Sequence, residues 1–302
     1  MATDDEYNIT AEEAFRFLHD VLQMECTETW IKANKVFFLG EFIRGMHYHI
    51  PFQTISGIAI PDGKRRLPTA ADIKTDIFSK LGGICYQINL FCWMLLRALG
   101  FDTRLLTSDV FGQKDYHIGV IINGLTDNGS KHLLEVGSSY PSRRLIPLDF
   151  EHCSPEYSDS YMKYRFVRQG EGTVIFQHKI NTVSSLARKH PGYIEGEWFS
   201  FIFYNTERSV SVSHFNTAMT SIMTVVNEDD FALTSLRCTA YPNGRLVCIK
   251  DSKLMLEDEG QEVQYSHFRS RDEFLEAFQR HFPQFTESMI RAAMKNIQFK
   301  LP

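Results

Sequence analysis

Leu81-Gly82-Gly83-Ile84-Cys85-Tyr86-Gln87-Ile88-Asn89, running on through Leu90 to Gly100, carries the chain from one helical pattern into another and on to a change of period. Two glycines end one helical pattern, and a second opens at about Ile84 with apolar residues at Ile88, Phe91, Leu95 and Leu99. Gly100 supplies the left-handed residue that commonly closes a helix. From Phe101 the period changes: 103–110, 116–123 and 131–136 are short β-branched or apolar runs, the last two parted by Asp127-Asn128-Gly129. A helical region therefore gives way to a β region at Gly100, which makes this an α+β chain.

Working outward, Thr10-Ala11-Glu12-Glu13 has the form of a capping box, with Ala11, Phe15, Leu18 and Leu22 on one helical face behind it. A second helix is expected over about 29–46, apolar at Trp30, Phe37, Phe38 and Phe42 and followed by the extended turn that Pro51 imposes. A third opens at Thr69, with Asp72 three residues on, and carries Ile73, Ile77 and Leu81. Further strands are expected over 161–169, 173–179, 199–204, 233–241 and 246–249, the last two joined at Asn243-Gly244. The tail returns to helix at Ser270-Arg271-Asp272-Glu273, with Phe274 and Phe278 following.

At 302 residues, 43% hydrophobic and 23% charged, the chain has a globular composition, and its length alone suggests about two domains. Lys and Arg number 32 against 37 Asp and Glu, a net charge of -5, which argues against nucleic acid or an anionic membrane as partner. The apolar run from Leu90 breaks at Arg97, short of the roughly 20 residues that span a bilayer. Met1-Ala2-Thr3-Asp4-Asp5-Glu6 is acidic where a secretory signal would be basic and then apolar, so a cytoplasmic location is expected. The six cysteines form no C-x-x-C pair, and His47 and His49 lack a third ligand close by, so no metal is expected. Neither dinucleotide nor P-loop glycine motifs occur.

Cys85 stands in the first turn of its helix behind two glycines, where unpaired amides and the helix dipole stabilise negative charge and nothing blocks close approach. His117 and Glu135 are both odd-numbered and lie on successive strands. In an antiparallel pair whose partners sum to an even number they share a face, opposite or one diagonal apart. The three supply a nucleophile, a base and a carboxylate that orients the base. Position alone leaves open a buried Cys85 acting as a small hydrophobe, with His117 and Glu135 solvated. Cys92, seven residues on, reads as core. Lys64-Arg65-Arg66, Arg143 and Arg144 read as solvated charge or as contacts for phosphate.

The segment 81–89 resembles the Arg-Gly-Gly-x-Cys-x-x-x-Asn signature of the arylamine N-acetyltransferases, with Leu81 in place of the arginine. Ile50-Pro51-Phe52-Gln53-Thr54-Ile55 is similar to the family's Pro-Phe-Glu-Asn-Leu. Leu134-Glu135-Val136-Gly137 falls where the family has Asp-x-Gly-Phe-Gly, so Glu135 replaces an aspartate, and Ile146-Pro147-Leu148 also fits. Agreement covers roughly 47–150, with Asn205, Ser213 and Phe215 resembling a later serine-rich motif more faintly. The resemblance implies a helical bundle over 1–100 carrying Cys85, a β-barrel over 101–210 carrying His117 and Glu135, and an α/β lid over 211–302, on a cysteine-protease-like core. It implies ping-pong transfer of acetyl from acetyl-CoA through a Cys85 thioester to an amine of arylamine or hydrazine type, with Ser213 in the cofactor-binding region and no metal. Ser138-Ser139-Tyr140 stands where the family has Phe-Gly, which implies a more polar acceptor. A thiol hydrolase on the same scaffold and a non-catalytic binding relative are the alternatives.

Overall fold

The computed structural model describes residues 4–181 and 185–301, so residues 1–3, 182–184 and 302 of the expected units lie outside the description. The first third of the chain forms α1 (Ala11–Arg16), α2 (Glu28–Ala33), α3 (Lys35–His49), α4 (Ile55–Ala59), α5 (Ala70–Phe78) and α6 (Cys85–Ala98), with a short strand β1 (Phe52–Gln53) ahead of α4. Both expected capping boxes are present: Thr10 with Glu13 on α1, and Thr69 with Asp72 on α5. The helix expected over 29–46 is instead two. Asn34 leaves helical geometry at φ -129° and ψ 38°, and its Nδ2 donates to the Trp30 carbonyl at 2.9 Å, an alternative to continuing the helix. The break turns Trp30 and Phe37 outward, 38% and 59% exposed, while Phe38 and Phe42 stay in the core. Leu81 likewise falls beyond the end of α5 and packs against the C-terminal apolar cluster.

The helix α6 is buried without a break from Cys85 to Leu96, as befits a helix apolar around its whole girth. It packs against α1, α5 and two strands of the main sheet. That sheet comprises β2 (Thr103–Val110), β3 (Gln113–Asn123), β4 (Lys131–Leu134), β5 (Ile146–Pro147), β6 (Tyr157–Asp159), β7 (Met162–Gln169), β8 (Thr173–Lys179), β9 (Ile194–Glu195) and β10 (Trp198–Val210), with helix α7 (Ser185–Lys189) between β8 and β9. The strand order is β5-β4-β3-β2-β10-β8-β7-β6, with β9 on β10. Alternation divides the side chains between two cores. Leu106, Ile121, Leu133, Ile146, Phe166, Phe176 and Ile202 meet in one cluster, which the sheet encloses by curling into a half-barrel. Leu105, Val120, Ile122 and Leu134 face the other way, into the helical core around α6.

The remainder forms α8 (Asn216–Thr224), β11 (Arg237–Ala240), β12 (Val247–Lys250), β13 (Lys253–Glu257), β14 (Val263–His267), α9 (Arg271–His281) and α10 (Glu287–Asn296). Its antiparallel sheet runs β1-β11-β12-β13-β14, so a piece of the N-terminal region supplies one edge. The expected Asn243-Gly244 turn joins β11 to β12, with φ of +53° and +78° at those residues. The strand expected over 233–241 starts only at Arg237, because residues up to Ser235 turn back to bury Leu233. No helix among the described residues is long and apolar enough to cross a membrane.

Candidate active site

The two glycines before Cys85 are dictated by packing. Gly82 has φ +73°, and a Cβ there would lie 1.9 Å from the Pro51 carbonyl oxygen. Gly83 pairs with Phe52, its carbonyl accepting from Gln53 N at 2.9 Å, and a Cβ on it would meet the Gln87 side chain. Gln87 Oε1 in turn accepts from Ile84 N at 3.1 Å, capping α6 from inside its first turn. The strand-like Pro51–Gln53 segment, the glycine pair and the cap together fix where Cys85 begins its helix. Its Sγ lies 4.0 Å from the Tyr116 carbonyl of β3, and the residue is 8% exposed.

His117, one residue further along β3, has its Nε2 2.7 Å from Glu135 Oε2. The ladder behind them is Val120 opposite Leu134 and Ile122 opposite His132, an even-sum register. Continued, it puts His117 and Glu135 one diagonal apart on a shared face, as parity requires. Two residues to which the sequence reading gave no role complete the arrangement. Tyr204 OH donates to the same Glu135 Oε2 at 2.6 Å, and Asn89 Nδ2 donates to Ile118 O at 2.6 Å and more loosely to Glu135 Oε1 at 3.5 Å. Asn89 stands four residues after Cys85, one turn along α6. Tyr204 pairs with Ser108 across one ladder, and Ser108 with His117 across the next. The small residues Ser108 and Gly119 leave its ring room to cross: a Cβ on Gly119 would lie 2.9 Å from the ring. Which strands are neighbours was not visible in the sequence, so nothing there pointed to Tyr204.

Glu135 is wholly buried, which by itself favours the neutral acid. The charge and hydrogen bond of His117, then the bonds from Tyr204 and Asn89, outweigh burial and hold its carboxyl below the ordinary value. Burial likewise works against a charged His117, but Glu135 and a side-chain hydrogen bond with Cys85 overcome it and raise the ring to about 10. With Nε2 committed to the carboxylate, Nδ1 is the ring atom left for the sulfur. Burial and the Glu135 charge push the Tyr204 phenol far up, so it remains a donor. The arrangement is equipped to pass a proton between sulfur and imidazole in a site screened from water.

Ser213 has no hydrogen bond to these three side chains among the described residues. It lies on a turn after β10, its Oγ 2.9 Å from Ser211 Oγ, next to His214, whose Nε2 is 3.0 Å from Asp115 Oδ2 near the start of β3. Ser138 is buried, its Oγ taking a bond from Tyr140 N at 3.4 Å, and the Tyr140 ring packs edge-on against Phe201 at 4.8 Å. Cys92 is core, as expected. His47 is a buried, neutral ring, lowered to about 4 by desolvation, with Nε2 3.0 Å from Ser142 O. Arg144 is held by Asp159 through two hydrogen bonds, and Arg143 stands 3.8 Å from the same carboxylate.

The α+β fold sets a cysteine at a helix N-terminus beside a buried imidazole and carboxylate. The chain belongs to the N-acetyltransferase family, whose model matches residues 43–284. It is an enzyme of that family. The solved arylamine N-acetyltransferase of Mycobacterium abscessus is similar over 99% of this chain and 98% of that one, with a TM-score of 0.75 and 13% identity. That of Salmonella typhimurium matches over 95% and 99%, with a TM-score of 0.72 and 15% identity. The Mycobacterium marinum enzyme, solved in complex with CoA, matches over 92% and 97%, with a TM-score of 0.69 and 13% identity. At these identities the likeness is one of fold. No curated protein matches the sequence.

Proposed function

We propose that this protein transfers an acetyl group from acetyl-CoA to an amine through a thioester on Cys85, with His117 as proton carrier and Glu135 holding the ring. In the first half-reaction Cys85 Sγ bonds to the acetyl carbon, the bond to the CoA sulfur breaks, and CoA leaves with a proton from His117. In the second the amine nitrogen attacks the thioester, the carbon–Sγ bond breaks, and the amine proton passes to His117. Ser213, on the turn beside β3, is assigned to the region that receives CoA. The division into units 1–100, 101–210 and 211–302 belongs to the same reading.

The observation that carries this reading is the 2.7 Å contact between His117 and Glu135, made beside the Cys85 sulfur in a setting that favours a charged ring. The test is a single-turnover experiment. Protein loaded with acetyl-CoA is freed of excess donor and mixed with an arylamine, a hydrazine or buffer alone. Acetylated amine formed faster than acetate is the expected result. Acetate released at the same rate with or without amine would instead indicate a thiol hydrolase.

A further inference from the structure

A cleft of about 490 Å³ opens on the far side of the α6 start, between α4, α5 and the loop joining them. Ile84 and Gln87 form part of its wall, and Cys85 does not line it. The loop brings Lys64, Arg65 and Arg66 to its rim. The three are not equivalent. Arg66 is closed on Asp72, Nη1 to Oδ2 at 2.5 Å and Nη2 to Oδ1 at 3.0 Å. Lys64 is exposed. The Arg65 side chain is only 4% exposed; Nε donates to Ile60 O at 3.2 Å, yet Nη1 is buried with no hydrogen-bond acceptor among the described residues. The Asp62 carboxylate stands 3.6 Å from it, beyond hydrogen-bond reach, and is 85% exposed.

A buried guanidinium N–H without an acceptor is costly, and such groups are rare in folded proteins. Its planar fork fits the paired oxygens of a carboxylate or phosphate. The volume lies in the range of small-molecule sites. Gln53 and Gln87 add amide groups to the wall, while Asp76 faces the same space and has no ion pair among the described residues. We propose that this cleft is a binding site for a small oxyanion ligand, carboxylate or phosphate, received by Arg65 and separate from the Cys85 thiol. The proposal stands independently of the acetyl-transfer reading.

Calorimetric titration with inorganic phosphate and, separately, with benzoate, at an ionic strength held constant with chloride, tests it. The expected result is saturable binding of at least one of the two, at one per chain. A response to phosphate alone identifies a phosphorylated ligand, and a response to benzoate alone a carboxylic acid. Arg65→Gln is expected to weaken binding at least tenfold. Gly57→Phe should do the same by filling the cleft while leaving Arg65 in place, because a Cβ on Gly57 meets nothing within 4 Å. Circular dichroism establishes that each variant is folded, and should Arg65→Gln fail, Gly57→Phe decides. Neither anion binding better than chloride, or binding that survives a folded variant, overturns the proposal.

Discussion

Burial alone would strip the proton from His117, and the interactions of the ring with Glu135 and Cys85 favour keeping it. If the three act as a unit, His117→Ala and Glu135→Gln each slow acylation on the order of 10² to 10⁴-fold, and the double variant loses little more. Additive losses in stopped-flow acylation would separate Glu135 from His117. The same coupling sets a pH dependence. In the folded chain Glu135 and Cys85 raise the His117 ring to about 10 from its ordinary 6.5, so between these values the native state holds a proton the unfolded chain has released. The contribution is complete below about 6.5 and is lost as pH rises toward 10. Urea unfolding at pH 6 and pH 9.5 should show a larger loss for the parent than for His117→Gln; equal losses would contradict the assignment. Much of this was legible in the sequence. Two odd numbers on successive strands put His117 and Glu135 on one face, and the glycines before Cys85 marked the helix start. Tyr204 was not legible, because its contact depends on β10 lying beside β2.

At the scale of elements, the row Tyr204, Ser108 and His117 across β10, β2 and β3 works only while Ser108 and Gly119 stay small. Gly119→Ala should push the Tyr204 ring aside and cost the carboxylate its phenol bond. A hydrogen bond to a charged group contributes about 1.5 kcal/mol or more, roughly tenfold in rate. Gly119→Ala and Tyr204→Phe are therefore expected to slow acylation by similar factors, with the double variant no slower than either. If Tyr204→Phe acylates as fast as the parent, the phenol does not position Glu135. Apolar runs located α6 and the strands over 103–110 and 173–179 well, because burial through the middle of each is continuous. Periodicity failed at Asn34, where one side chain competing for a carbonyl splits a helix that the apolar spacing joins. Strand β14 went unanticipated because it is largely exposed and leaves little apolar pattern to read, whereas α10 carries Ile290, Ala293 and Met294 on one buried face at a helical spacing that was legible and was passed over.

The whole molecule is tied together by β1 and α4, which precede α5 and α6 in the chain. β1 supplies an edge of the C-terminal sheet, and Thr54 Oγ1 donates to Ser235 O at 2.7 Å while accepting from Arg237 N at 3.0 Å. Ile55 and Ile58 of α4 lie in the C-terminal apolar cluster with Leu236, Phe274 and Phe278. A chain ending at Val210 would expose that face of α4 and deprive β1 of its partner β11, so it is expected to unfold at lower denaturant and less cooperatively than the full chain. An equally sharp transition at the same midpoint would show that the segment carrying Cys85 does not depend on the C-terminal part. On the proposed function, the fold selects one sulfur of six for chemistry. Cys153 is exposed, Cys26 partly so, and Cys92, Cys238 and Cys248 are buried thiols pushed up by desolvation. Intact mass followed by peptide mapping after brief exposure to acetyl-CoA tests this most directly. One acetyl group on the peptide bearing Cys85, and none at that peptide in Cys85→Ser, is expected. No adduct, or an adduct on Cys153 as readily as on Cys85, would contradict it.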